Sequence, residues 1–251
     1  MIDRGEILTK AEELDLHPSN VQRDYVFGWL LSGLFREDSA NGPIALKGGN
    51  GLRKGYLPST RFSDDLDFTS SGSLDGEALV DQFNEICRWA ERMCGVQFDT
   101  DRNMLAEEHH IDRARTVYKL RLYFQDFTGD AGHITLKVRV DVTEYDRIVL
   151  PLQERALIHP YSDSAECATT LQVVKLEELL ADKLKCMLQR RHSHDLYDLV
   201  QGVFLQRGVE LDRRELVQTF LRKTIFEPSP TTARSLLLAT PFEAMRAFGA
   251  S

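Results

Sequence analysis

The chain has 251 residues, enough for one or two domains, and 42% of them are hydrophobic, an ordinary fraction for a globular protein. Its net charge is −8, from 39 acidic and 31 basic residues. This balance argues against a general nucleic-acid coat protein, because such binding depends on neutralising phosphates with Lys and Arg. The apolar runs fall short of the roughly 20 residues that a membrane span needs, and the charged N-terminus does not resemble a signal peptide. We therefore expect a cytoplasmic protein with no membrane segment.

Hydrophobic spacing in the first half of the chain predicts alternating helices and strands. Residues 21–36 have apolar side chains at three- and four-residue intervals, as a helix does, although Gly28 and Gly33 interrupt the pattern. Turn-forming residues predict a loop at 39–43. The other predicted elements are a short buried strand from Ile44 to Leu46, a strand from Asp65 to Ser70 and an amphipathic helix from Asp75 to Met93.

The second half of the chain combines a predicted hairpin with a helical region. Apolar residues alternate over 116–125 and 134–143 on either side of a turn-rich segment, which predicts two antiparallel strands. Beyond Pro160 helical spacing dominates, with helices predicted at 176–189, 196–204 and 211–221. We therefore predict an α/β protein whose first domain, with an N-terminal helix, covers 1–160 and whose helical domain covers 161–251.

A glycine turn follows the first predicted strand. Gly48 and Gly49 let the backbone approach a ligand closely, and backbone amides there can hydrogen-bond phosphate oxygens. Arg53 and Lys54 add positive charge nearby. Such turns are often only structural, and this one lacks the Gly-Lys-Ser/Thr ending of a Walker A loop. Basic residues concentrate in the segments 47–61, 119–121, 137–139 and 183–194, which fits a protein that binds one phosphate-bearing substrate.

The segment Ser63-Asp-Asp-Leu-Asp67 is the strongest candidate for catalytic chemistry. Side chains alternate between the two faces of a strand, so Asp65 and Asp67 point the same way while Leu66 points to the core. Two neighbouring carboxylates repel each other unless a cation lies between them, and phosphoryl transfer requires such a cation. The alternative is a solvated acidic strand end.

The later strand Lys137-Val-Arg-Val-Asp-Val142 has one charged face and one apolar face. Lys137, Arg139 and Asp141 share the charged face, which in most strands is simply exposed to solvent. If this strand neighbours that of Asp65, then Asp141 becomes a third carboxylate for the same metal ion.

The predicted helix at 176–189 carries a lysine on its apolar side. A buried lysine is costly without a partner, so Lys183 either extends to the helix edge or meets an anion, such as a phosphate or the carboxylate of Asp195 or Asp198. Asp195 could instead cap the helix that begins at Leu196, and Asp198 lies in its first turn, where negative charge is favourable.

Zinc-site signatures are missing from the sequence. The four cysteines form no C-x-x-C pair, so buried, reduced thiols are expected. His109 and His110 fall in an acidic stretch that we interpret as a solvated loop, and neither they nor His192 and His194 have partners at zinc-binding spacing.

These motifs occur in a recognisable order. Gly-Gly followed by Arg comes first, then Ser-x-Asp-x-Asp, then an aspartate on a later strand, then Glu-Glu-x-x-Ala-x-Lys and Asp-Leu-Tyr-Asp. This order resembles the AbiEii/AbiGii-type nucleotidyltransferase toxins of bacterial type IV toxin–antitoxin systems, over residues 44–200.

The resemblance implies a polymerase-β-like nucleotidyltransferase core, an α+β fold with a mixed sheet flanked by helices. It also implies a C-terminal helical domain that completes the active site. The residues that it assigns are Gly48, Gly49, Asn50 and Arg53 in the phosphate-binding turn, Ser63, Asp65 and Asp67 in the metal motif, Lys183 at the nucleotide, and Asp195 or Asp198 as the late catalytic acid. The family's turn usually reads Gly-Gly-Thr, and Asn50 replaces the threonine with another side chain that hydrogen-bonds.

The resemblance also implies a reaction and partners. These are Mg²⁺- or Mn²⁺-dependent transfer of a nucleotide from an NTP to RNA at the tRNA 3′ end, a block of translation, and a cognate antitoxin encoded nearby. Three other interpretations stay open: transfer to a small molecule such as an antibiotic, transfer to a protein hydroxyl, and a catalytically silent nucleotide- or RNA-binding module.

Overall fold

The computed structural model describes residues 2–36, 44–113, 115–127, 135–190, 192–205 and 209–225. It divides into two compact units. The first takes in 1–58, 62–146 and 153–173, and the second takes in 59–61, 147–152 and the chain from 174 onward. The predicted loop at 39–43 lies outside the described residues, as does most of the predicted hairpin turn.

The first unit is built on a mixed sheet of seven strands among the described residues, in the order β3-β4-β5-β2-β1-β7-β6. Strand β2 is antiparallel to β1 and parallel to β5, and β1 is parallel to β7. The remaining neighbours are antiparallel. The strands are β1 (Ile44–Lys47), β2 (Asp65–Ser70), β3 (Met104–His110), β4 (Thr116–Gln125), β5 (Thr135–Glu144), β6 (Gln153–Ala156) and β7 (Thr170–Val173). The prediction of a mixed α/β fold is confirmed.

In the described part of the first unit there are four helices: α1 (Arg4–Glu13), α2 (Pro18–Phe35), α3 (Gly48–Gly55) and α4 (Gly76–Cys94). Helix α2 is buried along most of its length. Helix α4 begins after Asp75, whose carboxylate accepts from the Ala78 amide, and ends at the left-handed Gly95. The predicted helices at 21–36 and 75–93 are thus confirmed within a few residues.

The hairpin of β4 and β5 fixes which face of the sheet is polar. Val138 and Val140 are fully buried, whereas Lys137 and Arg139, which alternate with them, are exposed. This alternation is the one that the sequence predicts, and β4 follows it with Leu120 and its apolar neighbours on the same buried side.

Four elements of the first unit have weak sequence signals. Helix α1 is short and polar, and β6 and β7 have only four residues each. Strand β3 corrects the interpretation of His109 and His110 as part of a loop, since both pair with residues of β4. An edge strand with an exposed polar sequence lacks the alternation that would reveal it.

The second unit contains α5 (Leu176–Arg190), α6 (Ser193–Val200), a π-helical turn (Gln201–Leu205) and α7 (Arg213–Ile225). The predicted helix at 196–204 begins three residues earlier and changes to π geometry at its end. Helices α5 and α7 pack through Ala181, Leu188 and Phe220. Residues 161–173, which the sequence places in the helical domain, fall in the first unit because β7 pairs with β1 and β6.

All four cysteines are free, and three of them are buried, as expected. Burial raises the pKa of Cys87 to about 12 and that of Cys94 to about 11, so both thiols stay protonated and unreactive at neutral pH. Among the described residues, no helix is long and apolar enough to cross a membrane.

Candidate active site

The glycine turn lies between the end of β1 and the start of α3. Gly48 has a positive φ of 66°, a conformation that L-residues with a side chain rarely adopt. A Cβ at this position would lie 2.0 Å from Asp67 Oδ2. Gly48 therefore lets the backbone touch a carboxylate of the predicted metal motif, and Gly49 and Asn50 are buried behind it.

The three candidate metal carboxylates lie on one face of two adjacent strands. In the parallel pairing of β2 with β5, Asp67 is directly opposite Asp141 and Asp65 is opposite Arg139. Directly paired residues share a face of the sheet, and Leu66 and Val140 occupy the opposite, buried face. The condition on which Asp141 would join the site, adjacency of its strand to that of Asp65, is confirmed.

The electrostatics of Asp141 reflect this crowding. Burial raises the pKa of Asp141, and the negative charge of Asp65 raises it further, although Lys119 and Arg139 oppose the shift. A carboxylate in this setting gains when a cation neutralises the shared negative charge.

Two polar side chains hold Asp65 in place. The side-chain Nδ2 of Asn50 donates to the backbone carbonyl oxygen of Asp65 over 2.6 Å, and this hydrogen bond joins α3 to β2. The Ser63 hydroxyl donates to Asp65 Oδ1 over 3.2 Å. The Oδ1 atom of Asn50 is buried and has no hydrogen-bond partner among the described residues. Asn50 and Ser63 thus contact the metal motif through Asp65.

Arg53 lies in a buried network that the sequence did not reveal. Its Nε donates to Asp24 Oδ1 over 2.7 Å, and its guanidinium lies 3.8 Å from the centre of the Phe62 ring. Lys54, fully buried, donates to Asp24 Oδ2 over 2.9 Å, as does the Tyr161 hydroxyl. Burial alone would raise the pKa of Asp24, but the two cations outweigh it and hold that pKa far below its usual range. The phosphate contact assigned to Arg53 stays a prediction.

In the second unit, Lys183 is paired with both candidate late acids. Its Nζ lies 2.8 Å from Asp198 Oδ2 and 3.5 Å from Asp195 Oδ1, and both carboxylates are buried. Lys183 therefore meets carboxylates rather than extending to the helix edge. Arg61 also bonds Asp198, and Arg190 forms two hydrogen bonds to Asp195.

The suggestion that Asp195 caps the helix is wrong. Helix α6 begins at Ser193 after His192, so Asp195 lies inside its first turn. Burial would raise the pKa of Asp195, but hydrogen bonds from Arg190 and the charge of Lys183 lower it overall. The Asp195 carboxylate forms ion pairs with Lys183 and Arg190, and these account for its burial without a helix-capping bond. The catalytic roles of Lys183, Asp195 and Asp198 stay predictions.

The role of the carboxylate face as a metal site stays a prediction. Among the described residues, no group of three or more His, Cys, Asp and Glu side chains is placed so that it could hold a metal ion. Mg²⁺ rarely needs such a cage, since it is usually held by one or two carboxylates together with substrate phosphates and water. Asp65, Asp67 and Asp141 on adjacent strands supply hard oxygen ligands of that type.

Comparisons with known proteins show the family and the fold of the chain. The profile of the nucleotidyl transferase AbiEii toxin family, type IV toxin–antitoxin system, matches residues 29–247. The fold is similar to that of MenT4, a nucleotidyltransferase toxin from Mycobacterium tuberculosis, with a TM-score of 0.62 and 23% identity over 89% of this chain and 70% of that one. No curated protein matches the sequence.

The family match covers most of the chain, including the glycine turn, the three carboxylates and the Lys183 cluster. A nucleotide substrate and an antitoxin partner go with this family, whose members generally use a divalent metal. The chain belongs to the AbiEii family of type IV toxin–antitoxin systems and is a nucleotidyltransferase toxin.

Proposed function

We propose that the protein transfers a nucleotide from an NTP to an RNA acceptor, the 3′ end of tRNA, in the cytoplasm, with Mg²⁺ or Mn²⁺ as cofactor, and that an antitoxin encoded nearby restrains it. The observation that carries this proposal is the placement of Asp65, Asp67 and Asp141 on one face of β2 and β5 beside the Gly48 turn. That arrangement places carboxylate oxygens, which suit a divalent ion, beside a glycine turn whose backbone amides can bind phosphate.

The carboxylates would hold the divalent ion. When bound, it supplies neutralisation of the charge that develops on the triphosphate during transfer. Asp65 and Asp67 would bind it from β2 and Asp141 from β5. Ser63 and Asn50 orient Asp65 through its carboxylate and its backbone carbonyl.

The glycine turn would hold the triphosphate. The first amides of α3 have no partner within the helix, and together with the helix dipole they favour an anion at Gly48 and Gly49. Because Gly48 also touches Asp67, phosphate and carboxylates would share one small region. The acceptor hydroxyl then attacks the α-phosphorus and releases its proton to water. The bond from the α-phosphorus to the oxygen that bridges to the β-phosphate breaks, and pyrophosphate leaves.

Lys183 would contribute positive charge to the nucleotide, as its match to the family motif implies. In the second unit it is now held by Asp195 and Asp198, so binding a phosphate would require it to exchange a carboxylate for a phosphate oxygen. Substituting Lys183→Met should then raise KM for the NTP by about tenfold or more, in line with the loss of a charged hydrogen bond.

A transfer assay tests the proposed function. Purified protein with Mg²⁺ and each α-labelled NTP is incubated with total bacterial tRNA, beside the Asp65→Ala/Asp67→Ala double variant. We expect label on tRNA with the wild-type protein and none with the variant, and the labelled lane identifies the nucleotide.

Absence of label on any RNA would contradict the proposed acceptor. Repeating the reaction with cell lysate then separates the other acceptors, because a labelled protein band indicates protein modification and a labelled small solute indicates an antibiotic-type acceptor. Failure of every acceptor would indicate a silent binding module.

A further inference from the structure

The polar face of the β4–β5 hairpin carries a concentration of positive charge next to the carboxylates. The residues of this surface, which we call the basic face, are Arg121, Tyr123, Lys137 and Arg139, with Arg102 beside them. Cross-strand pairing places Arg121 opposite Arg139 and Tyr123 opposite Lys137. The four strand residues share the side of the sheet that carries Asp65 and Asp141.

Most of this charge is available to a ligand. Among the described residues, Arg121 and Lys137 take part in no ion pair, and both are exposed. Arg139 approaches Asp64 only to 3.9 Å, and both side chains are more than half exposed, so this pair contributes little. Lys119 differs, because Glu107 binds it at 2.8 Å and neutralises it. The positive charge therefore begins next to the carboxylates and extends along the hairpin away from Lys119.

An aromatic ring lies within this surface. Tyr123 is half-buried on β4, and the Arg102 guanidinium lies 4.2 Å from the centre of its ring. Exposed aromatic rings and guanidinium planes are the groups on which unpaired bases stack, while lysine and arginine bind the phosphates between them.

The basic face is continuous with the metal motif. Arg139 is paired directly with Asp65 and lies two residues from Asp141 on the same face. Lys137 and Tyr123 lie one further step along the strands, or about 6.6 Å, since a strand rises about 3.3 Å per residue. A strand of nucleic acid on this surface would therefore end at the carboxylates.

From this geometry we infer that the basic face binds the acceptor RNA as a single strand and directs its 3′ end to the carboxylates. The inference rests on the proposed function, which supplies the need for an RNA acceptor. The chain is acidic overall, so binding by general positive charge is excluded and a local surface is required. The stacking pair of Tyr123 and Arg102 favours RNA over an acidic protein, which would use the charges alone.

The test measures RNA binding directly, apart from transfer. A single-stranded RNA with a 3′ end like that of tRNA carries a 5′ fluorophore, and its anisotropy is titrated with the full-length protein in the absence of NTP. The variants are Arg121→Glu/Lys137→Glu and Tyr123→Ala. The matched control is Arg88→Glu, an exposed arginine on α4 that pairs only with its helix neighbour Glu85 among the described residues.

We expect the double charge reversal to weaken RNA binding by about 10- to 100-fold, with the loss appearing in KM for RNA during transfer. A single Arg121→Ala change should reduce the slope of log Kd against log salt by about 0.7 to 1. Tyr123→Ala should weaken binding about fivefold or more at high salt, where stacking dominates. Arg88→Glu should bind RNA as the wild type does, and thermal unfolding should show that all the variants are folded.

Equal RNA affinity in the wild type and the double charge reversal would overturn the basic face as the RNA site, even if transfer to tRNA is intact. A wild-type protein that binds no RNA would overturn it too, and would point to an acidic protein on this surface. The proposed function fails separately, when wild-type protein labels no RNA in the transfer assay.

Discussion

Two groups of charged residues in the first unit contain aspartates in opposite situations. Asp24 is buried and surrounded by donors, since Arg53, Lys54 and Tyr161 all bond its carboxylate. Asp65 and Asp141 instead share a face of the sheet with Asp67. Burial raises the pKa of Asp141, and the negative charge of Asp65 raises it further.

The difference separates residues that hold the fold from residues prepared for a ligand. A buried ion pair with its hydrogen bonds complete contributes little when intact but is costly to break, because removing one partner leaves a buried charge. Carboxylates grouped on one face are unfavourable until a cation arrives, which is typical of functional sites. Mutations should therefore affect stability at the first group and activity at the second.

The largest effect is expected at the metal motif. Asp67→Asn and Asp65→Asn should each lower nucleotide transfer by about 100-fold or more, because the charge that binds the cation is lost. The urea midpoint of unfolding should change little. Asp64→Asn, on the exposed neighbour, is the matched control and should transfer normally. Wild-type rates in Asp67→Asn would show that the site is elsewhere.

The next effect is expected at Asp24. Asp24→Asn should lower the free energy of unfolding by about 3–5 kcal/mol, since Lys54 is left buried without its counter-charge. Adding Lys54→Met to this variant should recover part of the loss by removing the stranded cation. Urea denaturation measures both. A double variant less stable than the single one would contradict the pairing.

Acid should destabilise the protein through His159. Burial lowers the pKa of His159 to about 4 from its usual 6.5, and the charge of Lys54 contributes, although Asp163 opposes the shift. The unfolded chain binds the proton more readily, so stability is retained above pH 6.5 and falls by about 3 kcal/mol as the pH drops towards 4. In His159→Gln the urea midpoint should depend less on pH over this range. A pH dependence equal to that of the wild type would contradict the role of His159.

A smaller effect is expected at the glycine turn. Gly48→Ala should cost about 1–2 kcal/mol, because alanine is strained at positive φ. Its Cβ would also displace the Asp67 carboxylate, so transfer should fall further than the stability loss explains. Gly55→Ala is the control, because a Cβ there makes only an ordinary contact with Val173, at 3.4 Å. Equal transfer by both variants would contradict the contact with Asp67.

The smallest effect is expected at Asp141. Its raised pKa means that the folded protein disfavours the charged form at neutral pH. In metal-free buffer, Asp141→Asn should therefore stabilise the protein slightly, while nucleotide transfer declines. Thermal unfolding with a chelator present measures the first effect. A lower melting temperature would indicate that Asp141 is stabilised by its neighbours.

Strand periodicity alone predicts that Asp65 and Asp67 share one face of the sheet, and the structure places them on one face. Periodicity could not predict that β2 pairs with β5, which brings Asp141 beside Asp67, because the adjacency of two strands depends on tertiary structure. Strands β4 and β5 were predicted almost to the residue because each has one buried and one polar face. Strands β6 and β7 were missed because each is short and lacks the continuous apolar run that marks the equally short β1.

Charged residues were harder to interpret than strands. Arg53 beside a glycine turn indicates a phosphate contact, yet its buried partner Asp24 lies 29 positions earlier in a helix that reads as apolar. Lys183 on an apolar stripe indicated either a side chain that extends to the helix edge or one that meets an anion, and the structure shows the second. A partner that is distant in the sequence leaves no spacing pattern around the residue that it binds. A charged residue on an apolar helix face can be recognised from the sequence, because its position is unfavourable without a partner.

The most direct test compares Asp67→Asn with Asp24→Asn in one experiment. Nucleotide transfer to tRNA is measured per folded molecule at low temperature, and the urea midpoint is measured on the same samples. We expect Asp67→Asn to lose nucleotide transfer while its urea midpoint stays at the wild-type value. We expect Asp24→Asn to unfold at a lower urea concentration, while its folded molecules still transfer the nucleotide. Equal losses of transfer per folded molecule in the two variants would contradict the separation of a structural charge group from a catalytic one.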